Sequence, residues 1–422
     1  MKTVFLESKR IRDWSVVSPF RNLLFLLIDL MSACLVLAGV IAFFELRGGW
    51  GLHWLWCVPA GFLSILLVGA IQHRIALMGH EASHYLVHPN RRLNDAIAEL
   101  FCFSPLFAIF SQYRARHLAH HLYTNDPDRD TNLAGRRAEK LYAKFPMEED
   151  AFLRRFFLKF LWPPAVLSNF FDLLRVALVD TGFSLFPGNQ VSGAGSRAKR
   201  PFLRNATVYG VVYFVLLIAV LHSARQQGFQ FLLIFAPLVW GAAVLVWSFL
   251  PVSSFYDPGG KLSYSPKTSG ILRLTFYSVL FVAINITEIL SGWWVGGYVL
   301  LFWILPLVYV FPHLMLVREV FQHANADRGE ISNSRVIHVN PVLRWALLGY
   351  GNDVHIVHHI YPNIPHYHLM GVHGEMCKKS QTYRDEVEET YGMIRGEEEQ
   401  ASVIEALAIS RSGSTEEKET EG

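Results

Sequence analysis

Three tight histidine clusters stand out in this chain: His80-Glu81-Ala82-Ser83-His84, His117-Leu118-Ala119-His120-His121 and His355-Ile356-Val357-His358-His359. The first has the pattern HxxxH and the other two HxxHH. Residues three and four apart share a helix face, so each cluster aims two or three imidazoles in one direction. Imidazole is the commonest metal-ligand side chain, and eight gathered together suffice for more than one ion. The clusters point to a metal site, and to a binuclear one.

The elements that must position them belong to a membrane protein. Of 422 residues, 52% are hydrophobic, 14% aromatic and only 17% charged, a composition foreign to an ordinary soluble enzyme. Six stretches approach the ~20 residues that cross a bilayer as helix: about 22–44, 54–77, 205–222, 230–250, 271–290 and 297–317. Trp50, Trp54 and Trp56 beside the first pair, and Trp293 and Trp294 between the last two, match interfacial aromatic belts. The expected fold is an all-α integral membrane protein with four to six spans and a cytoplasmic helical cap carrying the histidines. Its parts are a cytoplasmic N-terminal segment (1–21), the membrane domain (22–375) and an acidic cytoplasmic tail (376–422), disordered at the end beyond about 395.

Basic residues set the orientation. Lys2, Lys9, Arg10, Arg12 and Arg21 precede the first span, Arg136, Arg137, Arg154 and Arg155 lie in the long 73–204 segment, and Lys261, Lys267 and Arg273 fall in a later loop, while the alternate turns hold only Arg47 or Arg225. Both termini and all three clusters are therefore expected on the cytoplasmic face of a multi-pass protein. Residues 97–111 are apolar but short, and a crossing there would split clusters one and two; they read as a re-entrant or interfacial helix. Residues 151–180 read as an amphipathic helix on the membrane face or, equally, as a buried helix of the cap, and 187–200 as a linker. Cys34, Cys57, Cys102 and Cys377 form no CxxC pair and read as small apolar fillers. No cleavable signal peptide is evident, and a net charge of +3 without a basic, aromatic-laced soluble domain argues against nucleic acid.

At about 1.5 Å per residue, His80 lies within roughly 10 Å of the end of its span, so the metal site sits just outside the bilayer, where a lipid-borne chain could reach it. His323, beyond the last span, is a ninth candidate ligand. Glu319, one turn earlier, could ligate or orient a ligand, and Asp126, Asp128 and Asp130 could either hydrogen-bond ligand imidazoles or build a turn around Pro127. His313 is a weaker candidate; His53, His73, His88, His222 and His338 are read as interfacial or structural. Removing hydrogen from an unactivated C–H bond requires a redox metal and dioxygen, which zinc cannot supply and iron with nitrogen ligands and open positions can.

HxxxH, about thirty residues, HxxHH, paired spans and HxxHH resemble in their order the membrane fatty acid desaturase and hydroxylase superfamily. Gly79 to His84 looks like the first histidine box, His117 to Asn125 (HLAHHLYTN) like the second, and His355 to Leu369 (HIVHHIYPNIPHYHL) like the third with its trailing signature. Arg318 to His323 resembles the Arg-x-x-x-Glu-His element of some members, with Gln322 in place of glutamate. The resemblance covers roughly residues 20–375. It implies two non-haem iron ions, O2 as co-substrate, and His80, His84, His117, His120, His121, His355, His358 and His359 as ligands with His323 as the ninth. No His-Pro-Gly-Gly haem motif occurs, so electrons are expected from a separate carrier of ferredoxin or cytochrome b5 type. The expected activity is acyl-lipid desaturation, with a carotenoid or other lipid hydroxylase or ketolase as the runner-up. A different class is read from His-Glu-x-x-His at 80–84: an intramembrane zinc metalloprotease with Glu81 as base. A transporter or haem protein predicts lone histidines within spans rather than tight boxes outside them.

Overall fold

The computed structural model describes residues 5–133, 142, 144–158, 205–255, 263–394 and 400–409, with isolated positions at 164, 167 and 171. Among the described residues, six helices are long and apolar enough to cross a membrane: Pro19–Leu46, Trp54–Ser83, Val208–Gln227, Phe229–Phe249, Pro266–Ser291 and Val295–His323. Each coincides with an expected span and mostly extends it by a turn or so. Two of these extensions carry chemistry, because they run through His80 to Ser83 and through Arg318 to His323. Their local determinants are legible. Pro19 and Pro266 each take the first helical position, and Ser18 and Ser265 accept the N–H of Arg21 and Thr268, the cap arrangement that satisfies orphan donors.

We label α1 Pro19–Leu46, α2 Cys57–Ser83, α3 Arg91–Ile97, α4 Phe110–Leu122, α5 Asn205–Gln227, α6 Phe229–Phe249, α7 Pro266–Ser291, α8 Val310–His323, α9 His355–Ile360, α10 Leu369–Lys379 and α11 Val403–Ala408. Helix α1 packs along α2, and α5 along α6. The stretch expected to be re-entrant is a bent pair: Arg91–Leu106 and Phe110–Leu122 meet at 99°, with Phe107 in the left-handed region at φ 53°. Its first arm packs against α2, and its second is α4, which carries box two. The bend turns the chain back, so that box two returns beside box one, the His84 and His117 rings lying 4.8 Å apart.

The described residues add one small sheet to an otherwise helical fold. Strands β1 (Arg335–His338) and β2 (Glu388–Tyr391) run parallel, in the register Arg335 to Glu388 and His338 to Tyr391. Of the 151–180 segment, only 151–158 is described continuously. It is helical, and Phe152 and Phe156 are buried with Val317, Val320 and Phe321, so this part packs as a buried helix against α8. The linker at 187–200 and the acidic end beyond 409 lie outside the described residues. The tail departs from expectation at 400–409. There α11 is closed by a capping box between Ser402 and Glu405, and Val403, Ile404 and Leu407 are buried against α8 residues. The apolar spacing within VIEALA provides the face that the overall acidity of the tail hides.

Candidate metal centre

Four helices deliver histidines from their last turns: α2 (His80), α4 (His120 and His121), α8 (His323) and α9 (His358 and His359). His84 caps α2. Helix C-termini carry partial negative charge from unsatisfied carbonyls, which favours a nearby cation. The nine candidate histidines fall into two groups. His80, His84, His117, His121 and His358 bring ligand nitrogens within 4.8 Å of one another, and so do His120, His323, His355 and His359. The groups abut, with the His121 and His359 rings stacked 4.3 Å apart.

The ring nitrogens are arranged for cations. The Nε2 atoms of His84 and His117 lie 2.7 Å apart, those of His121 and His117 3.0 Å, those of His358 and His121 3.1 Å, and those of His359 and His355 3.1 Å. Two neutral imidazoles share at most one proton across such a contact, whereas ligands about 2.1 Å from one ion and at right angles to each other have nitrogens about 3 Å apart. Both ring nitrogens of His80, Nε2 of His120 and Nε2 of His323 are buried without a hydrogen-bond partner among the described residues. Leaving such groups unsatisfied costs roughly 1–3 kcal/mol each. The donor set therefore fits metal ions.

Surrounding groups fix the tautomers. His120 Nδ1 donates to Asp130 at 2.9 Å, His323 Nδ1 to the Asn333 carbonyl at 3.0 Å, and His359 Nδ1 to Thr124 Oγ1 at 3.2 Å. In each case Nε2 is left as the lone-pair donor. Asp130 also accepts the backbone N–H of Asn125 and of Asn132, so its orientation is over-determined. Burial, reinforced by neighbouring imidazoles, holds His117, His121, His355, His358 and His359 well below their ordinary pKa. Burial and the Arg114 charge lower His84 to about 3. These rings stay neutral at physiological pH, as ligands must. His120 is raised: burial opposes its charge, but the Asp130 carboxylate outweighs that.

The remaining candidates separate cleanly. Of the three aspartates, Asp130 bonds an imidazole, whereas Asp126 builds the turn, accepting Asp128 N and Arg129 N and pairing with Arg129. Glu319 takes Asn132 Nδ2 at 2.6 Å and lies 3.6 Å from Arg318. It ties the exit of box two to α8 and is in neither histidine group. Gln322 donates to the Asn352 carbonyl at 2.8 Å, bracing the approach to box three. His73, read as structural, donates to the Ala346 carbonyl at 3.0 Å. Glu81 accepts the His366 N–H at 2.9 Å and faces His80 Nδ1 at 3.7 Å. It backs the first box rather than standing opposite an open zinc position, and three further imidazoles crowd the His80–His84 pair, which weighs against the protease. Sequence reasoning missed Thr124 and the Asn333 carbonyl, because a hydroxyl and a backbone oxygen carry no signal until the chain has folded.

The sequence pattern of the family described as "Fatty acid desaturase" matches residues 58–257 and 229–387. The chain belongs to the fatty acid desaturase family. A dihydrorhizobitoxine desaturase from Bradyrhizobium elkanii is 34% identical over 98 residues, 23% of this chain and 27% of that protein. The chain thus aligns with only about a quarter of this curated relative. The family match takes in all three boxes and His323, and with the six apolar helices it makes this a multi-pass membrane protein with a histidine-lined metal centre.

Proposed function

We propose that the protein is an O2-dependent oxidoreductase that desaturates the acyl chain of a membrane lipid at a pair of non-haem irons held by His80, His84, His117, His121 and His358 on one side and His120, His323, His355 and His359 on the other. The observation that carries this reading is the five-and-four division of nine imidazoles, seven buried and two half-buried, beside the ends of two membrane-length apolar helices. The chemistry such a pair supplies when bound is hydrogen removal from an unactivated C–H bond. Each double bond formed consumes one O2, two electrons and two protons and releases two waters. Side chains cannot supply two electrons in every turnover, so a separate donor of ferredoxin or cytochrome b5 type is part of the proposal.

The protein's own groups do the holding. Asp130, Asn333 and Thr124 set which nitrogen of His120, His323 and His359 is presented, and burial keeps His84, His117, His121, His355, His358 and His359 neutral. Because α2 runs unbroken from apolar span into box one and α8 ends at His323, a chain lying among the spans has a short route to the centre. The distribution of Lys and Arg supports a cytoplasmic site and cytoplasmic termini. The desaturase named as a relative supports desaturation as the reaction.

Lipid and pigment profiling of a host expressing the protein, beside His120→Ala and His358→Ala, tests this. A new unsaturated acyl species lost in both variants, with about two irons per chain falling in His358→Ala, is the expected result. Altered carotenoids alone would overturn the acyl substrate in favour of a hydroxylase or ketolase, and one zinc without iron would restore the protease.

A further inference from the structure

A second cluster of metal-ligating side chains lies apart from the nine histidines, at the C-terminal end of the fold. His373 and Cys377 are one turn apart on α10, and Glu389 is on β2; one ligand atom from each lies within 4.8 Å of the others. His373 Nε2 is 3.7 Å from Cys377 Sγ and 3.4 Å from Glu389 Oε1. Both distances are long for a strong hydrogen bond. Zinc bonds of about 2.1 Å to nitrogen and oxygen and 2.3 Å to sulfur, at tetrahedral angles, place N and S about 3.6 Å apart and N and O about 3.4 Å apart. Two edges of such a tetrahedron are already at that spacing, and the third, from Cys377 to Glu389, lies within 4.8 Å.

The outer contacts match as well. His373 Nδ1 is 2.9 Å from the Tyr383 hydroxyl, which leaves Nε2 facing the cluster. The other carboxylate oxygen, Glu389 Oε2, lies 2.8 Å from His338 Nε2 and accepts the Tyr391 hydroxyl at 3.1 Å. A ligating imidazole and a ligating carboxylate are both characteristically held from behind in this way. His373 is buried, while Cys377 and Glu389 are half-buried, so an ion has an entry path.

We propose that His373, Cys377 and Glu389 form a structural site for one divalent cation of the zinc class, with a fourth position open to water. Binding converts the Cys377 thiol to thiolate, and its proton is released to solvent. Burial and the Glu389 charge hold that thiol above its ordinary pKa in the metal-free protein, and a cation between them removes that penalty. Mixed sulfur, nitrogen and oxygen donors suit zinc and cobalt better than magnesium or calcium. The site clips β2 to α10 within the apolar cluster where Val372, Met376 and Tyr383 pack against Ile356, Val357 and Ile360 of box three. It thus braces the wall behind the third histidine box.

Cobalt(II) distinguishes the two kinds of site, because a bound thiolate gives a near-ultraviolet charge-transfer band and histidines alone do not. Full-length protein in detergent, stripped by chelator and titrated with Co2+, is expected to develop that band with one equivalent per chain. Cys377→Ser should abolish the band and lower total bound metal by one equivalent, whereas His358→Ala should keep the band while losing metal at the nine-histidine centre. Glu389→Gln, tested in parallel, should weaken Co2+ binding without altering elution on size exclusion. A wild-type protein without the band, or a band that survives in Cys377→Ser, overturns the site.

Discussion

At the scale of single residues, the pairing of Asp130 with His120 orients one imidazole of the proposed metal site. The carboxylate is fixed by two backbone N–H groups and spends its remaining capacity on one imidazole. Its charge makes His120 more basic than its neighbours, hence a stronger donor through Nε2. Asp130→Asn keeps the shape and removes the charge. It should weaken metal affinity about 10–100-fold while leaving the melting profile of the stripped protein nearly unchanged. Metal titration of the two proteins side by side checks this, and unchanged affinity would remove Asp130 from the design.

At the scale of elements, two devices hold box one against box two. Arg114, on α4 one turn before His117, reaches back to the end of α2, donating to the Ala82 carbonyl at 2.9 Å and the Ser83 carbonyl at 3.1 Å and pairing with Asp95 at 2.6 Å. The pair is buried, so Arg114→Met strands a carboxylate, and the expected cost is about 3–5 kcal/mol, read as a lowered denaturation midpoint of the purified protein. Gly79 is the second device. A Cβ there would stand 2.5 Å from Phe103 Cε2 and 3.2 Å from Cys102 Cβ, because α2 and the arm after α3 touch at that point. Gly79→Ala should destabilise by about 1–3 kcal/mol, and a second substitution, Phe103→Leu, should recover part of it. Thermal melts of the single and double variants decide this. Gly351 plays a related role ahead of box three: φ is +72° and an added Cβ would meet Leu369 and the His366 carbonyl.

At the scale of the whole molecule, folding collects imidazoles in a dry interior, and this sets the pH response of the metal-free protein. His117, His121, His355, His358 and His359 are held well below their ordinary value, and His84 is lowered to about 3. As pH falls through about 6.5, unfolded imidazoles take up protons that the folded ones refuse, so the unfolded state binds more protons and stability is lost. The loss continues down to about pH 3, where His84 protonates in the folded state as well. His120, being raised, opposes the trend but is one ring against six. Chelator-stripped protein melted across pH 8 to 4 should show a steadily falling midpoint, and the metal-loaded protein should fall less until its ligands protonate. A flat profile for the stripped protein would refute the burial of neutral rings.

The sequence by itself determined the six apolar helices, the three boxes and His323, because span length and histidine spacing are local properties that hydropathy and helical period express directly. It also left the right alternatives open at Asp126, Asp128 and Asp130 and at residues 151–158. Only the tertiary structure decided between them, since whether Asp130 faces an imidazole depends on where the chain turns after Thr124. The five-and-four division of the histidines belongs to the same level, as it joins residues more than 200 positions apart. So does the meeting of His373, Cys377 and Glu389: Cys377 looked like an apolar filler and His338 an isolated histidine until parallel pairing of β1 with β2 brought Glu389 between them. Sequence spacing encodes what one helix face can do, and contacts between elements are fixed only when the elements pack.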